Sequence, residues 1–67
     1  MDKNKLLGKI KEHGTTLQQF AVQVGISLSA MRRKICEDSQ FTRDEIERIS
    51  NLLNLTDDEL LAIFFAD

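Results

Sequence analysis

Residues 16–36 constrain this chain more than any other segment, because they predict two short helices joined by a tight turn. Thr16 can cap the first of these helices, and Gln19, three residues later, completes a capping box. Gly25 supplies the left-handed backbone that ends that helix. Ser27 can then cap the second helix. The segment therefore predicts a pair of helices that cross closely at the turn.

Apolar residues in both predicted helices recur at the spacing of a single helix face. They are Phe20, Ala21 and Val24 in the first helix and Met31 and Ile35 in the second, with Ile26 between them. The second helix keeps a polar and cationic outer strip that consists of Leu28, Ser29, Arg32 and Arg33. Strips of this kind read base edges in the major groove of DNA. The segment is thus typical of a DNA-binding helix-turn-helix.

The same residues resemble the signature of a known family, the lambda-repressor and Cro type of helix-turn-helix domain, also called the xenobiotic-response-element family. The positions that match its pattern are Thr16, Phe20, Ala21, Val24, Gly25, Ile26 and Ser27, followed by the core positions Met31 and Ile35. The resemblance covers nearly the whole chain, since residues 41–60 are similar to the fourth helix and the start of the fifth in small phage and prophage regulators. It implies a five-helix, all-α DNA-binding domain over residues 1–67, acting as a transcriptional regulator such as a repressor.

The resemblance also implies which residues would contact double-stranded DNA. They are Gln18, Gln19, Leu28, Ser29, Arg32, Arg33, Lys34, Ser39 and Gln40. Within this set, Arg32 and Ser29 are the expected base readers. Arg33 and Lys34 are expected at phosphates or at the groove edge. The glutamines would anchor the first helix of the motif to the DNA backbone, and Ser39 and Gln40 lie in a loop that approaches the backbone in relatives.

Two leucines depart from the family pattern. Leu17 stands where relatives usually carry a phosphate-binding glutamine, and Leu28 stands where many relatives carry a glutamine that contacts a base. The pair could contact thymine methyl groups at the groove. It could equally extend the core between the two helices. The sequence leaves both interpretations open.

Charge is segregated along the chain. The formal net charge of −2 argues against DNA binding when taken alone, because affinity for phosphates depends on cations. However, residues 1–36 hold seven basic and two acidic residues, whereas residues 37–67 hold two basic and nine acidic ones. A local positive patch steers DNA more than the total charge does. We therefore expect the basic half to face DNA. The alternative is that its lysines lie on ordinary solvated helix faces.

The remaining sequence predicts three further helices and no strand. The first helix should run from about residue 3 to His13 and end at Gly14. Capping boxes that begin at Thr42 and Thr56 should open the fourth and fifth helices. The expected core positions outside the motif are Leu6, Leu7 and Ile10 in the first helix and Ile46, Ile49 and Leu53 in the fourth.

The last helix is more apolar than a single core requires. Its apolar residues span about 200° of the helix surface, whereas a stripe of roughly 100° suffices for core packing. We expect Phe64 to fill the core, and Ile63 and Phe65 to form the interface of a homodimer that binds a palindromic operator. The alternative is that Ile63 and Phe65 are merely exposed.

Nothing in the sequence indicates catalysis, a metal, a cofactor or a small-molecule ligand. His13 is the only histidine and Cys36 the only thiol, and neither stands at the spacing of a nucleophile and base or of metal ligands. A single cysteine excludes an internal disulfide and favours a reducing, cytoplasmic setting. The apolar runs are shorter than the roughly 20 residues of a membrane span.

A competing hypothesis assigns the fold to a different class of function. A helix-turn-helix can serve as a protein-interaction module, such as an antirepressor or a modulator of a repressor. The acidic net charge, Leu17 and Leu28 favour this hypothesis. Binding to generic duplex at low salt, and its loss when salt is added, would discriminate between the two.

Overall fold

A computed structural model describes residues 1–66 of the chain and confirms the all-α class. Within that range it contains five helices and no strand. They are α1 (Lys3–Glu12), α2 (Leu17–Val24), α3 (Leu28–Ile35), α4 (Arg43–Leu53) and α5 (Asp57–Phe64). None of these helices has the length and apolar character needed to cross a membrane.

The helices begin where the sequence places their caps. Thr16, Thr42 and Thr56 each form a complete capping box with the glutamine or glutamate three residues later. Ser27 caps α3 by accepting a hydrogen bond from the Ala30 amide at 3.1 Å. Because these bonds satisfy amide groups that have no partner within the helix, each start site is fixed locally.

One apolar core joins all five helices. Its buried residues are Leu6, Ile10, Phe20, Ala21, Val24, Met31, Ile35, Ile49, Leu53 and Ile63. Large apolar side chains contribute about 1.5–3 kcal/mol each when they are fully buried, so this cluster is the main source of stability in a chain without a disulfide. The apolar positions predicted for the helix-turn-helix all belong to it, apart from the half-buried Ile26, which packs against it.

Three expectations about burial are corrected by the packing. Leu7 and Ile46 were expected in the core, but Leu7 is exposed and Ile46 is only half-buried. Ile63 was expected at a dimer interface, but its side chain is 1 % exposed. It faces inward because α5 lies against α1, where the Asp2 amide donates a 2.7 Å hydrogen bond to the Ile63 carbonyl. The opposite edge of the apolar arc, which carries Leu61, is the one left outside.

Candidate nucleic-acid interface

The helices α2 and α3 pack against each other across a turn that is held by backbone hydrogen bonds. The amides of Gly25 and Ile26 both donate to the Ala21 carbonyl, at 2.9 and 3.0 Å. Gly25 has φ 93°, a left-handed conformation that a side chain would strain. Ala21 is buried and small, which lets α3 cross close to α2. The turn therefore gives α3 a defined orientation on the rest of the molecule.

The outward side of α3 carries the residues expected to read DNA. Ser29, Arg32 and Arg33 are exposed, whereas Met31 and Ile35 on the opposite side are buried in the core. Residues three and four apart share one face of a helix, so these exposed side chains form one continuous polar surface. We call Ser29, Arg32 and Arg33 the reading strip. Its two guanidinium groups make it cationic.

Lys34, which the sequence predicts at a phosphate or at the groove edge, is paired within the protein. Its side chain is only 14 % exposed, and Nζ lies 2.6 Å from Glu45 Oε1 on α4. The ammonium also lies 5.9 Å from the centre of the Phe41 ring. The sequence interpretation grouped it with Arg32 and Arg33 because all three end α3, yet Lys34 points toward α4 and ties the two helices together.

The carboxylate of Glu45 serves two helices at once. Burial raises the pKa of this carboxyl, but the hydrogen bonds from Lys34 and from the Thr42 amide outweigh burial and leave the pKa below its ordinary value. Glu45 is thus a charged partner for Lys34 at neutral pH, while it also caps α4 through Thr42 at 2.8 Å. Sequence reasoning recognised only the cap, since a contact between positions 34 and 45 leaves no local signal.

The two glutamines at the start of α2 are both exposed. The side-chain oxygen of Gln19 accepts hydrogen bonds from the Thr16 amide at 3.2 Å and the Thr15 hydroxyl at 3.3 Å. This leaves the amide nitrogen of Gln19 as the group that can donate to a phosphate. Gln18 is exposed next to it. Both residues are therefore accessible at the start of α2.

The two leucines that replace family glutamines differ in their surroundings. Leu17 is half-buried and packs against the core, which supports the structural interpretation of this residue. Leu28 is half-buried too, but it is not among the residues of the described chain that pack against the core. Part of its side chain therefore lies open beside Ser29, at the start of α3. The two leucines therefore differ: Leu17 packs against the core, whereas Leu28 is partly open to solvent.

In the loop between α3 and α4, Glu37 has a positive φ of 65°. Ser39 and Gln40 are exposed in this loop. Together with Phe41 and Phe65, they line a groove of ≈ 370 Å³ that reaches from the loop to the end of α5. Ser39 and Gln40, the candidate contacts to a DNA backbone, are thus accessible, and they lie next to the apolar end of α5.

The basic half of the chain offers fewer cations than its sequence suggests. Lys9 on α1 pairs with Glu59 on α5 and lies 3.5 Å from Glu12. The hydrogen bond to Glu59 is the main reason that the pKa of Lys9 is raised. The hydrogen bond from Lys9 likewise lowers the pKa of Glu59 to about 2. Since Lys34 is also paired, the remaining cations of this half are Lys3, Lys5, Lys11, Arg32 and Arg33.

No protein-family model, curated protein or solved structure matches this chain. Within residues 1–66, no group of three histidine, cysteine, aspartate or glutamate side chains is arranged to hold a metal ion. Cys36 is an exposed free thiol at the end of α3.

An apolar surface remains uncovered on α5. Leu61 is 55 % exposed and Phe65 is 63 % exposed, and the two lie four residues apart on one face. Phe64, in contrast, is half-buried against the core, and its ring meets Phe41 edge to face at 5.8 Å. We call Leu61 and Phe65 the α5 face. The sequence predicts an interface position for Phe65 but not for Leu61, because helical periodicity alone does not say which edge of an apolar arc faces outward.

Proposed function

We propose that this chain is a sequence-specific, DNA-binding transcriptional regulator of the phage type, with a lambda-repressor-like fold. The observation that carries the proposal is the reading strip: Ser29, Arg32 and Arg33 project from a helix whose other face is anchored in the core by Met31 and Ile35. A helix held in this way can enter a major groove without losing its own packing. Such a regulator acts on chromosomal or phage DNA in the cytoplasm.

In this proposal, each exposed residue has a distinct role. Arg32 donates two hydrogen bonds to a guanine edge, and Ser29 contacts the neighbouring base. Arg33 binds phosphate or the groove edge. The half-buried Leu28 contacts a thymine methyl group where the groove passes the start of α3. Gln18, Gln19, Ser39 and Gln40 bind the backbone on either side, which fixes the register of α3 without reading sequence.

The same proposal includes a homodimer on a palindromic operator. Its interface is the α5 face, with Leu61 taking the place first assigned to Ile63. Two copies related by a two-fold axis can cover Leu61 and Phe65 mutually, since one patch is then complementary to itself. The acidic first turn of α5, formed by Asp57 and Asp58, keeps this side of the molecule away from DNA.

The deciding experiment measures binding of the full chain to duplex DNA at increasing salt concentration. A regulator should bind random duplex at low salt and lose affinity with a slope of about −3 or steeper on a double logarithmic plot, corresponding to at least three neutralised phosphates. Selection from a random duplex pool should then yield one preferred, palindromic sequence. Absence of duplex binding at low salt would reject the proposal.

A protein-interaction module is the second candidate, and one observation favours it. Val22 is 74 % exposed on the outer side of α2, and α2 contains no charged residue. A neutral surface with an exposed apolar side chain suits a protein partner better than a phosphate backbone. In that case the chain would fail to shift generic duplex at low salt, and a Val22→Lys substitution would not restore binding.

A further inference from the structure

The helix α4 contacts both helices of the α2–α3 pair through side chains on one of its faces. Glu45 pairs with Lys34 of α3 at 2.6 Å, and Arg48 Nη1 donates a hydrogen bond to the Val24 carbonyl of α2 at 3.0 Å. Glu45 and Arg48 are three residues apart, so they share a face of α4. One helix therefore holds the last turn of α2 and the last turn of α3 at the same time.

Arg48 acts at the point where the chain leaves α2. Carbonyl groups in the last turn of a helix have no partner within the helix and carry its partial negative charge. A guanidinium group is well suited to this end, because it supplies both a donor and a positive charge. Its Nη1 atom comes so close to Gly25 that a Cβ there would lie only 3.3 Å away. The guanidinium of Arg48 thus lies directly against the turn.

These two contacts differ in kind from the packing that they accompany. Apolar packing between α2 and α3 is strong, but it is not directional. Hydrogen bonds and ion pairs fix distances and angles. The α2–α3 turn spans only residues 25–27, so a small rotation there would move the reading strip relative to the first turn of α2. Two directional contacts from α4 oppose that rotation from both sides.

We propose that Glu45 and Arg48 are positioning residues, which hold α3 at one angle to α2 and so determine how sharply the reading strip discriminates between DNA sequences. This inference rests on the proposed function. Neither residue is expected to touch DNA. Removing either contact should therefore lower discrimination among sequences more than it lowers affinity for DNA in general. Glu45 also keeps Lys34 from binding phosphate nonspecifically.

The first test replaces Arg48 with methionine and uses Arg43→Met as the control. Both residues are exposed arginines of α4, so the two variants lose the same charge from the same helix. The measurement is the ratio of dissociation constants for a random duplex and for the selected site. Arg48→Met should lower this ratio about tenfold, the effect of losing one well-aligned base contact, whereas Arg43→Met should leave it within about twofold. Arg48→Lys, which can still donate to the Val24 carbonyl, should recover part of the ratio.

The second test replaces Glu45 with glutamine. Glutamine can still complete the capping box at this position, so α4 should keep its start, but the charge that holds Lys34 is removed. The freed Lys34 should raise affinity for random duplex severalfold while discrimination falls. A rise in affinity for random duplex together with a fall in discrimination distinguishes positioning from loss of stability, because partial unfolding would weaken binding to both duplexes alike.

Hydrogen exchange provides a measurement that does not depend on DNA. Amide exchange at Gly25 and Ile26, whose amides donate to the Ala21 carbonyl, should be faster in Arg48→Met than in Arg43→Met, since the turn loses its contact with α4. If the wild-type chain bound no duplex, the proposed function would fail, and exchange alone would decide whether Arg48 braces the turn. Equal exchange and equal discrimination in the two arginine variants would overturn the inference. Should Arg48→Met fail to fold, Arg48→Lys and Glu45→Gln would decide by the same two measurements.

Discussion

The α2–α3 pair and α5 both bury one face in the same core, but they expose opposite kinds of surface. The pair exposes the cationic reading strip of Ser29, Arg32 and Arg33. In contrast, α5 exposes the apolar α5 face of Leu61 and Phe65 behind an acidic first turn. An anionic ligand suits the reading strip, and an apolar partner suits the α5 face. The comparison teaches that one small domain can present a cationic surface and an apolar surface on different helices.

The two regions also differ in what fixes their orientation. The α2–α3 turn is specified by local features: the Thr16 cap, the left-handed Gly25 and the Ser27 cap. The orientation of α5 depends on distant contacts, namely burial of Ile63 and the pairing of Lys9 with Glu59. Substitutions in each region can therefore test whether this division holds.

The largest expected effect comes from the buried edge of α5. Ile63→Asp should unfold the domain, because an unpaired carboxylate would have to enter a site that is 1 % exposed in a domain of marginal stability. Leu61→Asp is the matched control, since Leu61 lies on the same helix with more than half of its surface exposed. Thermal unfolding followed by circular dichroism should show no transition for the first variant and a near-normal transition for the second. Equal melting of both would mean that α5 is rotated from the described orientation.

This difference between Ile63 and Leu61 marks the limit of what could be predicted from the sequence. Caps and turns were predictable, including the left-handed Gly25 that ends α2 and the capping box of Thr42 that opens α4, because their signals lie within a few residues. The inward edge of α5 and the pairing of Lys34 were not. Both depend on which helix lies opposite, and contacts across 11 or more residues leave no periodic pattern.

The candidate site likewise has features that could be predicted from the sequence and features that could not. Exposure of Ser29, Arg32 and Arg33 followed from the helical period, since they lie opposite the apolar residues of α3. The reduced number of available cations did not follow, because Lys9 and Lys34 are paired by glutamates from the acidic half of the chain. A charge count along a sequence takes no account of such pairing. It therefore overestimated the positive surface.

The second-largest effect should appear in the reading strip. Arg32→Ala should cost about 1–3 kcal/mol on the selected site and relax preference at one base pair, if Arg32 makes two hydrogen bonds to a guanine. Arg33→Ala is the comparison, and it should weaken specific and random duplex to a similar extent. Titration of both duplexes with both variants checks this. An equal loss on the two duplexes for Arg32→Ala would make Arg32 a phosphate contact.

A third effect tests how far local signals fix the α2–α3 turn. Gly25→Ala should destabilise the fold by about 1–2 kcal/mol, because φ 93° strains any residue with a side chain. Gly8→Ala is a control of opposite sign. Gly8 lies inside α1, where a Cβ would meet no atom within 4 Å, so alanine should stabilise the helix by about 0.5–1 kcal/mol. Urea unfolding of both variants gives the comparison, and a stable Gly25→Ala would mean that the turn can adopt another conformation.

A fourth prediction concerns the exposed edge of α5. Phe65→Asp should weaken self-association at least tenfold, or about 1.4 kcal/mol, while leaving the monomer folded, because Phe65 is 63 % exposed. Sedimentation equilibrium at tens of micromolar measures this change. Val22→Asp, an equally drastic change at an exposed position on α2, is the control and should leave association unaltered. A wild-type chain that is monomeric both free and on DNA would refute the dimer.

The smallest expected effect concerns how α5 is tied to α1. The hydrogen bond from Lys9, together with the Thr56 amide, lowers the pKa of Glu59 from 4.5 to about 2. A carboxyl whose pKa is lower in the folded state than in the unfolded state stabilises the fold at pH values above its unfolded-state pKa. This contribution is lost as the pH falls through the folded-state pKa. The window is therefore about pH 4.5 down to about pH 2.

Glu59→Gln tests this contribution, because glutamine can preserve the capping box of α5 but does not titrate. Its stability should fall less steeply than that of the wild type across the window, as measured by urea unfolding at successive pH values. Glu47→Gln, which removes an exposed carboxylate from α4, corrects for the change in total charge. If wild type and Glu59→Gln lost stability in parallel, the Lys9–Glu59 pair would not contribute in solution. The orientation of α5 would then rest on apolar burial and the Asp2–Ile63 backbone bond.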